Sequence, residues 1–167
     1  KFFEDEDEDA VSVIDPVEYS LTLDAGTDAE ELKDAIETTA LLKADEGKPV
    51  SGDLGLVIKA RDDRDRILAT LYEKARYGGV VEGTINGQDL DALPPSPEFG
   101  RDRAVPVSVR VRPGPVFTFG DIAFSGDAEG RNPADYGLVP GERADSTIIL
   151  RAGERIVADL KSEGRPL

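Results

Sequence analysis

The side chains able to do chemistry in this chain are nearly all carboxylates. Asn86-Gly87-Gln88-Asp89-Leu90-Asp91 sets two acids just beyond a glycine, the kind of donor that calcium takes. A calcium loop also needs its full ligand spacing and a closing bidentate Glu, and neither is present. Asn-Gly is a strong turn signal, so the segment reads as a turn after a strand. Arg61-Asp62-Asp63-Arg64-Asp65-Arg66 alternates in sign and reads as a solvated, ion-paired helix face. Arg110 and Arg112 fall on the polar positions of an alternating run and point to solvent or to an acidic peptide.

The missing residue types exclude more than the present ones suggest. With no His and no Cys, Ser-His-Asp and Cys-His triads, His-ligated zinc, thiolate metal sites and disulfides are all ruled out. A carboxylate-only glycosidase would need two acids facing each other across a cleft, and no such pair is identified. "SGDLGL" and "GRNPADYG" match neither glycine-rich nucleotide pattern. No catalytic residue, cofactor site or metal site is therefore expected. The net charge is −15, and without the acids of residues 4–9 the remainder still carries −9. That balance disfavours nucleic acid and anionic lipid as partners. No apolar run approaches the roughly 20 residues of a membrane span.

The surrounding pattern predicts the elements that carry these groups. Residues 1–16 form an acidic tail, "FFEDEDED" at its start, too self-repelling to order. Residues 17–23, "VEYSLTL", alternate as a half-buried strand. Thr27 and Glu30 have the spacing of a capping box. Leu32, Ile36 and Ala40 then repeat at helical spacing up to about residue 43. Gly47, Pro49 and Gly52 break the chain. A second helix covers roughly 54–77, with Ile67, Leu68, Leu71, Tyr72 and Ala75 as its apolar stripe and Gly78-Gly79 as its stop. Residues 80–87, "VVEGTING", alternate as a short strand, with Val81 and Ile85 sharing a face. Residues 89–103 hold Pro94, Pro95 and Pro97 and read as a loop. Val105, Val107, Val109 and Val111 share one face of a further strand, with Pro106 near its start, where a missing N–H is tolerated. The core is expected to contain Tyr19, Leu21, Leu32, Ile36, Leu68, Leu71, Ile85, Val107 and Val109.

After Pro113-Gly114-Pro115 the pattern restarts. Residues 116–124 suggest a strand, and Ile149, Ala152, Ile156 and Leu160 a helix closed by Gly164. "RILATLYEKARYGG" (66–79) and "RAGERIVADLKSEG" (151–164) align at a constant offset of 85. Two similar units in the same element order imply a repeat. Pro113, Gly114 and Pro115 then form a stiffened interdomain hinge rather than a hairpin turn.

"GPVFTFGDIAFSG" (114–126), "VPGERADSTIILRAGERIVADLKSEG" (139–164) and "LYEKARYGGVVEGTING" (71–87) resemble the POTRA (polypeptide-transport-associated) domains of outer-membrane barrel assembly factors, of the TamA-like kind. The resemblance implies an α+β fold of tandem β-α-α-β-β units, each a small mixed sheet with two helices on one face. The first unit spans 17–113 and the second 114–167, the second stopping before its last two strands. It further implies a periplasmic scaffold attached to the outer membrane through a barrel outside this sequence. A TamB-like inner-membrane protein and unfolded outer-membrane clients would be its partners.

A small sheet covered on one face leaves strand edges able to accept a strand from another chain. The candidate partner-binding edge is Val80, Val81, Glu82, Thr84 and Ile85, and a proline at Thr84 should weaken partner binding if the N–H there points outward to the partner. The alternative is a calcium-binding or carboxylate-dependent secreted module, an adhesin or a hydrolase. A rise in melting temperature that saturates at low calcium would distinguish it.

Overall fold

The structure, a computed structural model, describes residues 13–164, so the acidic run of residues 4–9 lies outside it. The elements in chain order are β1 (Pro16–Val17), β2 (Tyr19–Asp24), α1 (Glu30–Thr39), α2 (Leu41–Ala44), β3 (Val50–Ser51), α3 (Gly52–Glu73), β4 (Val80–Ile85), β5 (Gln88–Asp89), β6 (Val105–Arg112) and α4 (Ser146–Ser162). The fold is α+β. Four strands form one sheet in the order β2-β6-β4-β5, and β1 pairs with β3 in a separate two-stranded ribbon.

The central strand is β6. Its even-numbered residues are exposed, while Val105, Val107, Val109 and Val111 are buried, as period-2 alternation requires when one sheet face is covered. It runs parallel to β2, with Leu21 opposite Val107, and antiparallel to β4, with Ile85 opposite Val107. The return from β2 to a parallel neighbour needs a long connection, and α1, α2 and α3 lie within it. They supply Leu32, Ile36, Leu42, Leu56, Ile67 and Leu71 to the cluster that covers the inner face. Leu21 and Leu68, both expected in this core, pack against it half-buried. Pro106 is tolerated because its rung is the last one beside the β4–β5 turn: its carbonyl accepts the Asn86 N–H at 2.9 Å, and no donor is needed in return.

The first helical region differs from expectation at both ends. Thr27 does not cap a helix; its hydroxyl accepts the Ala29 N–H at 3.1 Å. α1 begins at Glu30, with Ala29 as its N-cap and no side-chain cap. It stops at Thr39 because the chain turns at Ala40 and restarts as α2. The cause is Asp63. Its two carboxylate oxygens accept the Leu41 N–H at 2.9 Å and the Leu42 N–H at 2.7 Å. Asp63 is fully buried, which corrects its placement on a solvated face.

α3 also ends early. Its left-handed residue is Ala75, at φ 60°, not Gly78 or Gly79. The Arg76 N–H reaches the Leu71 carbonyl at 2.8 Å and the Ala75 N–H reaches Tyr72 at 3.0 Å, the paired bonds of a Schellman end. Gly79 is needed for space instead, since a Cβ there would lie 2.6 Å from Leu71 Cδ1.

Residues 116–124 do not form the expected strand. They make one isolated bridge, Thr118 opposite Arg143. The Phe119 and Ala144 N–H groups pair with the Glu142 and Phe117 carbonyls. A ladder needs a neighbouring strand, and among the described residues none continues beyond that bridge. α4 forms as expected, with Ala152 and Leu160 buried, but Ile149 is exposed. Tyr136 organises this part. Its hydroxyl donates to Asp159 at 2.8 Å, its ring meets Phe124 edge-on, and the Arg155 guanidinium sits 5.2 Å over it.

The helix alignment shifts by about one turn. α3 and α4 reach their left-handed residues at Ala75 and Gly164, an offset of 89 in place of 85. At 89, Asp63, Ile67 and Leu71 fall on Ala152, Ile156 and Leu160, which are the inward positions of both helices.

Pro113, Gly114 and Pro115 lie in a corner docked against the C-terminal end of α3. Pro113 is buried. The Gly114 carbonyl accepts from Arg76 Nη1 at 2.6 Å, and the Phe117 N–H donates to the Ala75 carbonyl at 2.7 Å. The Tyr77 hydroxyl donates to the Ala144 carbonyl, and its ring meets Phe117 edge-on at 5.7 Å.

Candidate functional site

Strand β4 holds all five residues of the candidate edge, but they are not equivalent. Asn86 and Gly87 both have positive φ, so the chain reverses in two residues and β5 pairs back onto Thr84 and Ile85. The end of the edge that includes Thr84 and Ile85 is therefore already occupied. Residues 80–83 have β6 on one side and no strand on the other among the described residues.

Backbone direction follows from one bond. The Asn86 N–H points to β6, to the Pro106 carbonyl. In an antiparallel pair the bonded residues alternate, so Thr84, Glu82 and Val80 also present their backbone groups to β6. Val81 and Gly83 turn theirs away from β6, but Gly83 is buried beneath Leu90, so Val81 alone is left on an open edge. This corrects the test residue: the Thr84 N–H faces Ser108 across the ladder, and a proline there would break the sheet rather than the docking edge. The usable window is centred on Val81.

A groove of about 460 Å³ runs alongside that window, with Leu68 and Tyr72 of α3 on one wall and β4 on the other. Gly83 lies beneath the Leu90 side chain, where a Cβ would come 2.6 Å from Leu90 Cδ1. The loop that looked featureless from its prolines thus closes the groove at one end. Leu90 is fully buried, and the Arg61 guanidinium holds its carbonyl at 2.8 Å.

Four of the five charges lining the groove are acidic: Asp65, Glu82, Asp89 and Asp91 against Arg64. Arg64 donates to Asp91 at 2.8 Å, and that hydrogen bond raises its guanidinium above the ordinary value. Asp89 accepts the Asp91 N–H at 2.8 Å, as the cap of a single 3-10 turn. Glu82 pairs with Arg112 on the open sheet face. Arg110 lies directly opposite Glu82 on β6 and beside Asp24 of β2. Among the described residues, no group of three or more acids is arranged to hold a metal ion, and no helix is long and apolar enough to cross a membrane.

The site is therefore a backbone edge beside an apolar-walled, acid-rimmed groove, without a nucleophile poised next to a base. Sequence reading missed the groove because its wall comes from α3, and its closure depends on Leu90 folding back from a loop. No protein-family model matches the chain, and no curated protein matches it either.

Proposed function

We propose that this chain is a protein-docking scaffold of POTRA type, with tandem units, that accepts extended segments of other proteins at the β4 edge. In this reading it is not an enzyme and uses no cofactor. It acts in the periplasm as part of an outer-membrane assembly factor, beside a TamB-like partner, and its clients are unfolded barrel proteins. The carrying observation is the sheet. A β-α-α-β-β path ends with its third long strand in the middle, parallel to the first and antiparallel to the second. The second strand is left with outward backbone groups at Val81, next to a groove. Such an edge binds through main-chain hydrogen bonds and places few demands on client sequence.

The test is amide hydrogen exchange on the protein with and without a chemically unfolded outer-membrane barrel protein. Val81 should gain protection on binding, and Thr84 should not change. Protection that arises elsewhere, with the Val81 amide unaffected, refutes the reading.

A further inference from the structure

We infer that the client segment docked at Val81 runs toward the joint at Pro113-Gly114-Pro115, not toward Leu90, and is anchored there by an aromatic side chain laid on Tyr72. This rests on the docking reading above and specifies its client.

The direction follows from what closes the groove. At one end Leu90 lies over Gly83, Arg64 is held by Asp91, and β5 occupies the edge at Thr84 and Ile85. A guest strand cannot pass there. At the other end Tyr72 and Gly79 line the groove. That end is the joint, because β4 starts beside it at Val80 and α3 finishes beside it at Glu73. Val81 alone offers the guest about two main-chain hydrogen bonds. So few exchangeable bonds contribute little net affinity, and a side-chain anchor must supply the rest.

The anchor's place follows from the pleat. The guest residue opposite Val81 shares its face and points into the groove, beside Leu68. The residue two positions nearer the joint points the same way, about 6–7 Å further on, and passes Gly79. Gly79 puts no side chain into that space, and its missing Cβ faces Leu71, away from the guest. An aromatic side chain is an effective cover for a glycine at a sheet edge. A ring at this position lies against Tyr72.

Its chemistry follows from a row of rings. Tyr72 and Tyr77 lie 5.4 Å apart, tilted by 48°, and Tyr77 meets Phe117 edge-on at 5.7 Å. Tyr72 and Tyr77 precede the joint in the chain and Phe117 follows it, so the row crosses from one side to the other. Tyr72 and Phe117 are both exposed. Tilted and edge-on rings at these spacings attract beyond the area they bury, and a guest ring on Tyr72 lengthens the row by one. A second copy of the chain is a poor occupant, because each copy carries a net charge of −15 and two of them repel. An uncharged segment of another protein meets no such barrier.

The experiment uses the full chain and uncharged synthetic peptides built on one core valine. The chain has no Trp, so the emission of a Trp peptide reports the guest's anchor alone. Trp is set two positions from the valine, before it in one peptide and after it in another, since the guest strand is free to run either way. The controls replace Trp with Leu, or N-methylate the core amides. Affinity is read by titration calorimetry. The better Trp peptide should bind about three- to tenfold tighter than its Leu control, with its emission shifted to the blue. Tyr72→Ala should bring the Trp peptide down to the affinity of the Leu control, and Tyr72→Phe, which keeps the ring, should not. Tyr72 is exposed, so both variants should keep the parent's urea midpoint. The N-methylated peptide should not bind. Equal binding of the Trp and Leu peptides, or a Trp preference that survives Tyr72→Ala, overturns the anchor inference, and loss on N-methylation then leaves edge docking standing. A dimer of the chain alone that Tyr72→Ala abolishes assigns the ring row to a second copy and also overturns the inference. Binding of the N-methylated peptide as tight as its parent overturns edge docking and the inference with it, as does no binding by any peptide.

Discussion

Replacing Asp63 with Ala should be among the most damaging single changes in the protein. The carboxylate is fully buried and accepts two backbone N–H groups, from Leu41 and Leu42, at 2.9 and 2.7 Å. Those donors are the first of α2 and have no intrahelical partner. Truncation removes two charge-assisted bonds and leaves the buried Leu42 N–H and the part-buried Leu41 N–H without acceptors, each costing up to about 1–3 kcal/mol. Returning the carboxylate to water in the unfolded state offsets part of this, because burying an ion is itself unfavourable. The net loss should be about 3–5 kcal/mol. With a urea slope of about 2 kcal/mol per M, the unfolding midpoint should fall by about 1.5–2.5 M. Asp63→Asn should fall between the two, since it keeps one acceptor and turns an amide donor toward the other N–H. Asp62→Ala, one residue away on the exposed side of α3, is the control and should change stability by less than about 0.5 kcal/mol. If Asp63→Ala loses less than about 1 kcal/mol, Asp63 is not what sets the break between α1 and α2, and the account of that break is wrong.

Other changes test other parts of the structure. Leu71→Ala should cost about 2–5 kcal/mol in urea unfolding, as for a fully buried leucine; a loss under about 0.5 kcal/mol would contradict its place at the centre of the helix–sheet contact. The Tyr19 hydroxyl donates to the Leu42 carbonyl at 2.5 Å, and burial pushes its pKa up to about 12 from 10.0. Its contribution to stability is therefore complete below about pH 10 and lost as the pH rises toward 12, so alkaline melting curves should lose that slope in Tyr19→Phe. The hydrogen bond from Lys59 at 2.5 Å, with its charge, holds the Asp45 carboxyl below its usual value. Stability from this pair is present above the ordinary carboxylate range and lost as the pH falls through and below it, and Lys59→Met should flatten that acid limb. Tyr77→Phe removes the hydroxyl bond to Ala144 and should speed proteolysis between the two parts without lowering the urea midpoint of the first.

Much of the sheet was legible because β-alternation is local. Val105, Val107, Val109 and Val111 declare a covered face by themselves, and Asn86-Gly87 declares its turn. Asp63 was not legible. Its neighbours Arg61, Asp62 and Arg64 make a convincing solvated pattern, and nothing within one turn of α3 signals that two N–H groups some twenty residues earlier would converge on it. Ala75 was missed for a related reason. Glycine is the usual left-handed residue at a helix end, so Gly78-Gly79 drew the boundary, although Gly79 is needed where the chain passes Leu71 and Pro113.

The segment 116–124 shows the limit of alternation as evidence. Phe117, Phe119, Ile122 and Phe124 have a strand's apolar content, but a strand exists only where another backbone accepts its hydrogen bonds. Here the apolar side chains go to two places. Phe117 packs on Tyr77 at the joint, while Phe119, Ile122 and Phe124 pack around Tyr136 and α4. The one-turn shift between α3 and α4 has the same origin. An amphipathic helix matches another almost as well when displaced by one turn, because the apolar stripe repeats at three and four residues. Register had to come from a fixed point, and the left-handed residues Ala75 and Gly164 supply it. Anchored there, the buried positions of the two helices coincide. Asp63, where α3 reaches across to α1 and α2, then falls on Ala152, whose small side chain packs against Tyr136 and its neighbours.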